Sequence, residues 1–111
     1  MKKYVVCAAQ VQGFHCWPNA PDELAYLRSI HRHIFQIRME FPVGDSNREI
    51  EIIKRQNEIT HYLISKYGDA SGACQFGGMS CEHIAEALLT QFGASTCTVL
   101  EDGFGGARIV R

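Results

Sequence analysis

The chain has 111 residues, 46% of them hydrophobic, and a formal net charge of −1 with histidine neutral, which supports one domain spanning residues 1–111 with a modest core. That charge gives no sequence-wide attraction to nucleic acid or to an anionic membrane, and no apolar run approaches the roughly 18 residues that a membrane span needs. Five cysteines, Cys7, Cys16, Cys74, Cys81 and Cys97, are odd in number and form no Cys-x-x-Cys pair, which argues against a disulfide framework or a cysteine zinc knuckle and fits a reducing cytoplasm.

The opening Met1-Lys2-Lys3 is basic, but Gln10, Gln12 and His15 interrupt the apolar stretch and no small-residue cleavage site follows, so the segment reads as a first strand. Its odd positions from Val5 to His15 share one face and its even positions from Tyr4 to Phe14 share the other. Residues 16–23 carry Pro18, Asn19 and Pro21 and read as a loop, followed by a short helical turn around Leu24 to Leu27. From His31 to Phe41 the alternation resumes, with His31, His33, Phe35, Ile37, Met39 and Phe41 on one side of a second strand. Ser46 and Glu49 have the spacing of a capping box for a helix running to about Tyr67, with Gly68 as a left-handed terminator. Its apolar positions Ile52, Ile53, Ile59, Leu63, Ile64 and Tyr67 fall near a period of 3.6. Residues 69–78 are rich in Gly, Ala and Ser and read as a loop. Ser80 caps a second amphipathic helix with Ile84, Ala85, Leu88, Leu89 and Phe92 on one face, closed by Gly93. Residues 96–101 and 107–110 form a terminal hairpin around 102–106. The expected class is α+β, in the order β-β-α-α-β-β, with a four-stranded antiparallel sheet and two helices on one face. One bare sheet face and two free edges make homo-oligomerisation, with sheets joined edge to edge in a ring, the economical solution.

His31 and His33 lie one residue apart on a strand, so both imidazoles point to the same face, and His15 ends the neighbouring strand on its apolar face. If the two strands pair, the three histidines form a set suited to a borderline-soft ion such as zinc, with one position open to water or a substrate oxygen. The plainer alternative is that each histidine is satisfied by hydrogen bonds alone.

The chain resembles the 6-pyruvoyl-tetrahydropterin synthases and the bacterial 6-carboxytetrahydropterin synthases. Phe14-His15, the loop to Leu27, and His31-Arg32-His33-Ile34-Phe35 look like the family's strand ending in His followed by its His-Gly-His. Thr60-His61-Tyr62-Leu63, Ser80-Cys81-Glu82-His83-Ile84-Ala85 and Val99-Leu100-Glu101 fall roughly where its later motifs stand. The resemblance implies the tunnelling fold, a barrel of strands contributed by a hexamer or other ring. It also implies zinc held by His15, His31 and His33, and a lyase acting on dihydroneopterin triphosphate or a related reduced pterin. Glu101 is then the anchor for the pterin ring, since a carboxylate accepting two parallel N–H bonds is a strong recognition element, and Glu82 is a second pocket candidate. On residue chemistry alone, Glu101 reads as a turn-flanking carboxylate and Glu82 as a partner of a helix dipole. Three departures stand out. The segment before His31, where the family carries a catalytic Cys or Glu, reads Ala25-Tyr26-Leu27-Arg28-Ser29, leaving Cys16 and Glu23 as candidate bases. Thr60 stands where an Asp would orient His61, which serves either as an acid or as a polar residue on the helix exterior. Arg32 replaces the glycine between the two histidines. The alternative to an enzyme is a protein on the same fold that binds a pterin or purine-like ligand without transforming it.

Overall fold

Alternation of apolar and polar side chains carries through two long strands, and those strands make the frame of the molecule. The computed structural model describes residues 1–111. Strands β1 (Lys3–His15) and β2 (His31–Val43) pair antiparallel from Lys3 opposite Val43 to His15 opposite His31, without a break in register. On β1 the odd residues Cys7, Val11 and His15 are buried while Tyr4, Val6, Ala8, Gln10 and Gln12 are exposed; on β2, Phe35, Ile37, Met39 and Phe41 are buried on the same side. Between the strands, Asp22–Arg28 forms a short 3-10 helix. Arg28 ties that segment down by donating to the Ala20 carbonyl at 2.8 Å and to Asp22 at 2.8 Å.

Helix α1 (Ile52–Tyr67) starts later than the Ser46 capping box predicts. The Glu49 carboxylate instead accepts the backbone N–H groups of Gly44 and Asp45 in the turn leaving β2, and Glu51 caps the helix by accepting from the N–H of Lys54. The apolar stripe of α1 is narrower than its spacing suggests: Ile59 and Leu63 are fully buried, whereas Ile52, Ile53 and Ile64 are exposed. Gly68 does end the helix, in an extended rather than a left-handed conformation (φ −68°, ψ 139°). Glycine is required there for space, because a Cβ would lie 2.3 Å from the Ile64 carbonyl oxygen.

The Gly- and Ala-rich stretch after Gly68 is not all loop. Cys74–Gly77 forms strand β3, parallel to β1, with Cys74 and Phe76 buried. Helix α2 (Cys81–Phe92) is capped by Ser80, whose hydroxyl accepts from the His83 N–H, and ends at Gly93 in the left-handed region (φ 66°). Strands β4 (Thr96–Glu101) and β5 (Gly105–Val110) complete the terminal hairpin. The sheet is therefore five-stranded and mixed, in the order β3-β1-β2-β4-β5, rather than four-stranded and antiparallel. The α+β class holds, with a third, 3-10 helix beside α1 and α2. Side chains from both α-helices join those of β1, β2, β3 and β4 in one core of 18 residues, which leaves the other face of the sheet uncovered. No helix is long and apolar enough to cross a membrane.

Candidate metal centre

The register of β1 against β2 sets His15 directly opposite His31 and Gly13 opposite His33. Directly opposed residues in an antiparallel pair share a face, so the three rings gather at the end of the hairpin where β1 leaves the core. Their centroids stand 4.7 Å (His15–His31), 5.3 Å (His15–His33) and 5.0 Å (His31–His33) apart. Phe35 closes the floor, 5.2 Å from the His15 ring and 5.7 Å from that of His33. The pairing of β2 with β4 places Glu101 opposite Phe35, on the same face. Its Oε2 reaches 3.0 Å from His15 Nε2 and 2.7 Å from His33 Nε2. One ligand atom from each of His15, His31, His33 and Glu101 lies within 4.8 Å of the others.

The outward nitrogens decide what the inward ones do. His15 Nδ1 donates to the Met79 carbonyl at 2.9 Å, and His31 Nδ1 donates to the Ser29 carbonyl at 2.9 Å. A carbonyl only accepts, so each Nδ1 carries a proton and each Nε2 of the neutral ring presents a lone pair. His33 Nδ1 faces Asp102 Oδ2 at 2.7 Å, which imposes the same tautomer. One nitrogen from each ring and a carboxylate oxygen thus gather within 4.8 Å of one another, an arrangement of acceptors that repels itself unless a proton or a cation stands between. The donor set fits a metal ion: imidazole nitrogen with carboxylate oxygen serves several divalent transition metals, and outer-nitrogen partners of this kind fix ligand orientation. All five cysteines are free, and none belongs to this group.

Beside the cluster opens a cavity of about 530 Å³, lined among others by His15, Cys16, Trp17, Glu82 and Glu101. It is large enough for a single small organic molecule. Burial, with the nearby Glu101 and Glu82 charges, pushes the thiol of Cys81, a further lining residue, up to about 12. Cys81 is therefore a neutral thiol at physiological pH and no base. Cys16 lines the cavity too, its backbone N–H held by the Gly77 carbonyl at 2.9 Å, and it is only partly covered.

No protein-family model matches the sequence, and no curated protein matches it.

Of the residues singled out from sequence, His15, His31, His33 and Glu101 come together, with Cys16 and Glu82 on the adjoining cavity wall. His61 and Glu23 do not reach the cavity. His61 is exposed on α1, bonded to Ser65 one turn on at 3.3 Å, and Glu23 is exposed on the 3-10 helix. A helix period placed His61 on the outer face, and no element returns it. Glu101 stands against the histidines rather than apart from them, so it is a candidate fourth ligand for a metal ion. Asp102 and the carbonyls of Ser29 and Met79 were not legible as site groups: backbone acceptors carry no residue signature, and Asp102-Gly103 reads as turn chemistry.

Proposed function

We propose that the protein is a zinc-binding enzyme of the pterin-synthase kind, acting on dihydroneopterin triphosphate or a close relative in the cavity beside His15. The observation that supports the metal reading is that one ligand atom from each of His15, His31, His33 and Glu101 lies within 4.8 Å of the others, while Nδ1 of each ring already has a hydrogen-bond partner. The pterin assignment rests on the residues quoted for the resemblance, with Glu101 and Glu82 as carboxylates within reach of a ring that offers N–H donors. His15, His31, His33 and Glu101 would hold the zinc ion, which would supply Lewis-acid chemistry at this centre. Glu101 neutralises part of the cation's charge or turns to the ligand's N–H groups, and Cys16 is the titratable side chain left to move a proton. Phe35 and Phe76, 5.0 Å apart, keep the floor apolar. A homo-oligomeric ring, formed through the bare sheet face and the β3 and β5 edges, belongs to the same reading.

A second reading, a binder of a pterin or purine-like ligand without turnover, is favoured by one observation: His61 and Glu23 lie outside the cavity, so acid–base groups are few. The two readings part on one experiment. Zinc-loaded protein is incubated with dihydroneopterin triphosphate and triphosphate release is followed. Turnover that disappears in Cys16→Ala supports the enzyme; calorimetric binding with the ligand recovered unchanged supports the binder; neither binding nor turnover by a zinc-loaded chain removes both.

A further inference from the structure

We propose that Asp102 is the residue that sets the tautomer and aim of His33, and so the positioning residue of the metal centre. The proposal rests on the metal reading above and deepens it. Each of the three histidines has an outer partner, but those of His15 and His31 are backbone carbonyls, which no substitution alters. Asp102 alone is a side chain, and it is used twice. Oδ1 accepts the Ile34 N–H at 2.8 Å while Oδ2 accepts His33 Nδ1–H at 2.7 Å. The backbone is locked into the same place, since the Asp102 N–H donates to the Ile34 carbonyl at 2.8 Å.

Turn geometry does not account for this carboxylate. Asp102 (φ 55°) and Gly103 (φ 77°) are both left-handed, and Asn or Gly serves such a position as well as Asp does. What Asn lacks is a second acceptor oxygen. With Asn at this position either the Ile34 N–H loses its partner, or the amide NH₂ faces His33 Nδ1. In the second case His33 moves its proton to Nε2 and the lone pair no longer points at the ion.

The test compares wild type with Asp102→Asn and, as a second replacement compatible with the turn, Asp102→Gly, after thermal melts of the metal-free chains confirm folding. Zinc affinity is read by competition with a chromophoric chelator. The hydrogen bond made by His33 Nδ1–H is read by nitrogen-edited NMR of the zinc-loaded protein, in which the ion takes the place of any proton between Nε2 and Glu101. The expected result is a loss of roughly 10–100-fold in zinc affinity in both variants, with the His33 Nδ1–H signal strongly hydrogen-bonded in wild type and weakened or lost in both. Unchanged affinity, or weaker binding with that hydrogen-bonded signal intact, overturns the proposal. If wild type takes up no zinc, the metal reading fails by itself, and the same Nδ1–H signal in the metal-free chains decides whether Asp102 holds His33.

Discussion

His15 and His33 occupy the only stretch of the sheet where apolar alternation gives way to imidazoles, and a glycine makes room for them. Gly13, opposite His33, faces the core, where a Cβ would sit 2.7 Å from Phe76 and 2.8 Å from Phe35. Both contacts are ring carbons of packed side chains, so Gly13→Ala forces the rings apart. Overpacking of this kind costs roughly 1–3 kcal/mol, and because Phe35 underlies two of the histidines, zinc affinity falls with stability. Urea unfolding and chelator competition on the same sample check both effects. If Gly13→Ala unfolds at the wild-type midpoint, the glycine is not needed for close approach. The shared face of His31 and His33 was legible in sequence because a period of two has no other reading. The meeting of Glu101 with them was not, since it depends on β2 pairing with β4 across more than sixty residues of chain.

At the scale of elements, β3 is the part that sequence patterns missed. Four residues in a Gly- and Ala-rich stretch carry no strand signal of their own; what makes them a strand is parallel pairing with β1 and the burial of Cys74 and Phe76. Asp69 secures the approach. Its carboxylate accepts from the Ser71 N–H at 2.8 Å, the Ser71 hydroxyl at 2.6 Å and Gln75 Nε2 at 2.9 Å. Those bonds, the Ser71 hydroxyl first, hold its carboxyl down at about 2 against an ordinary value of 3.8. A carboxyl whose folded pKa is depressed contributes stability that is present above 3.8 and is lost as pH falls through about 2. Asp69→Asn is therefore destabilised relative to wild type at neutral pH, and the gap between their urea midpoints closes as the medium is acidified across that window. A gap that is constant with pH contradicts the charge-assisted account. The shifted start of α1 has a similar origin: Glu49 has the spacing of a capping residue, but its side chain is turned to the preceding turn, where Oε1 accepts from both the Gly44 and the Asp45 N–H. Ser80, with no such competitor, caps α2 as its sequence suggests.

As a whole, the molecule is longer than its chain length requires. Its radius of gyration is 15.0 Å and its extents are 50 × 31 × 21 Å, against about 13 Å for a compact chain near this size. The excess comes with the β1–β2 ribbon, whose outer face exposes Tyr4 and Val6 while Val110 stands exposed on β5. Half-bare sheets and free edges of this kind are protected by pairing, so sedimentation of the purified chain is expected to show a closed oligomer. A lone monomer at micromolar concentration contradicts the ring. Everything proposed for the cavity depends on metal binding by the three histidines. Zinc-edge X-ray absorption of protein stripped and reloaded with zinc is the decisive measurement: imidazole nitrogens with an oxygen and no sulfur are expected around the metal. Thiolate sulfur in that shell, or a folded chain that takes up no zinc, contradicts it.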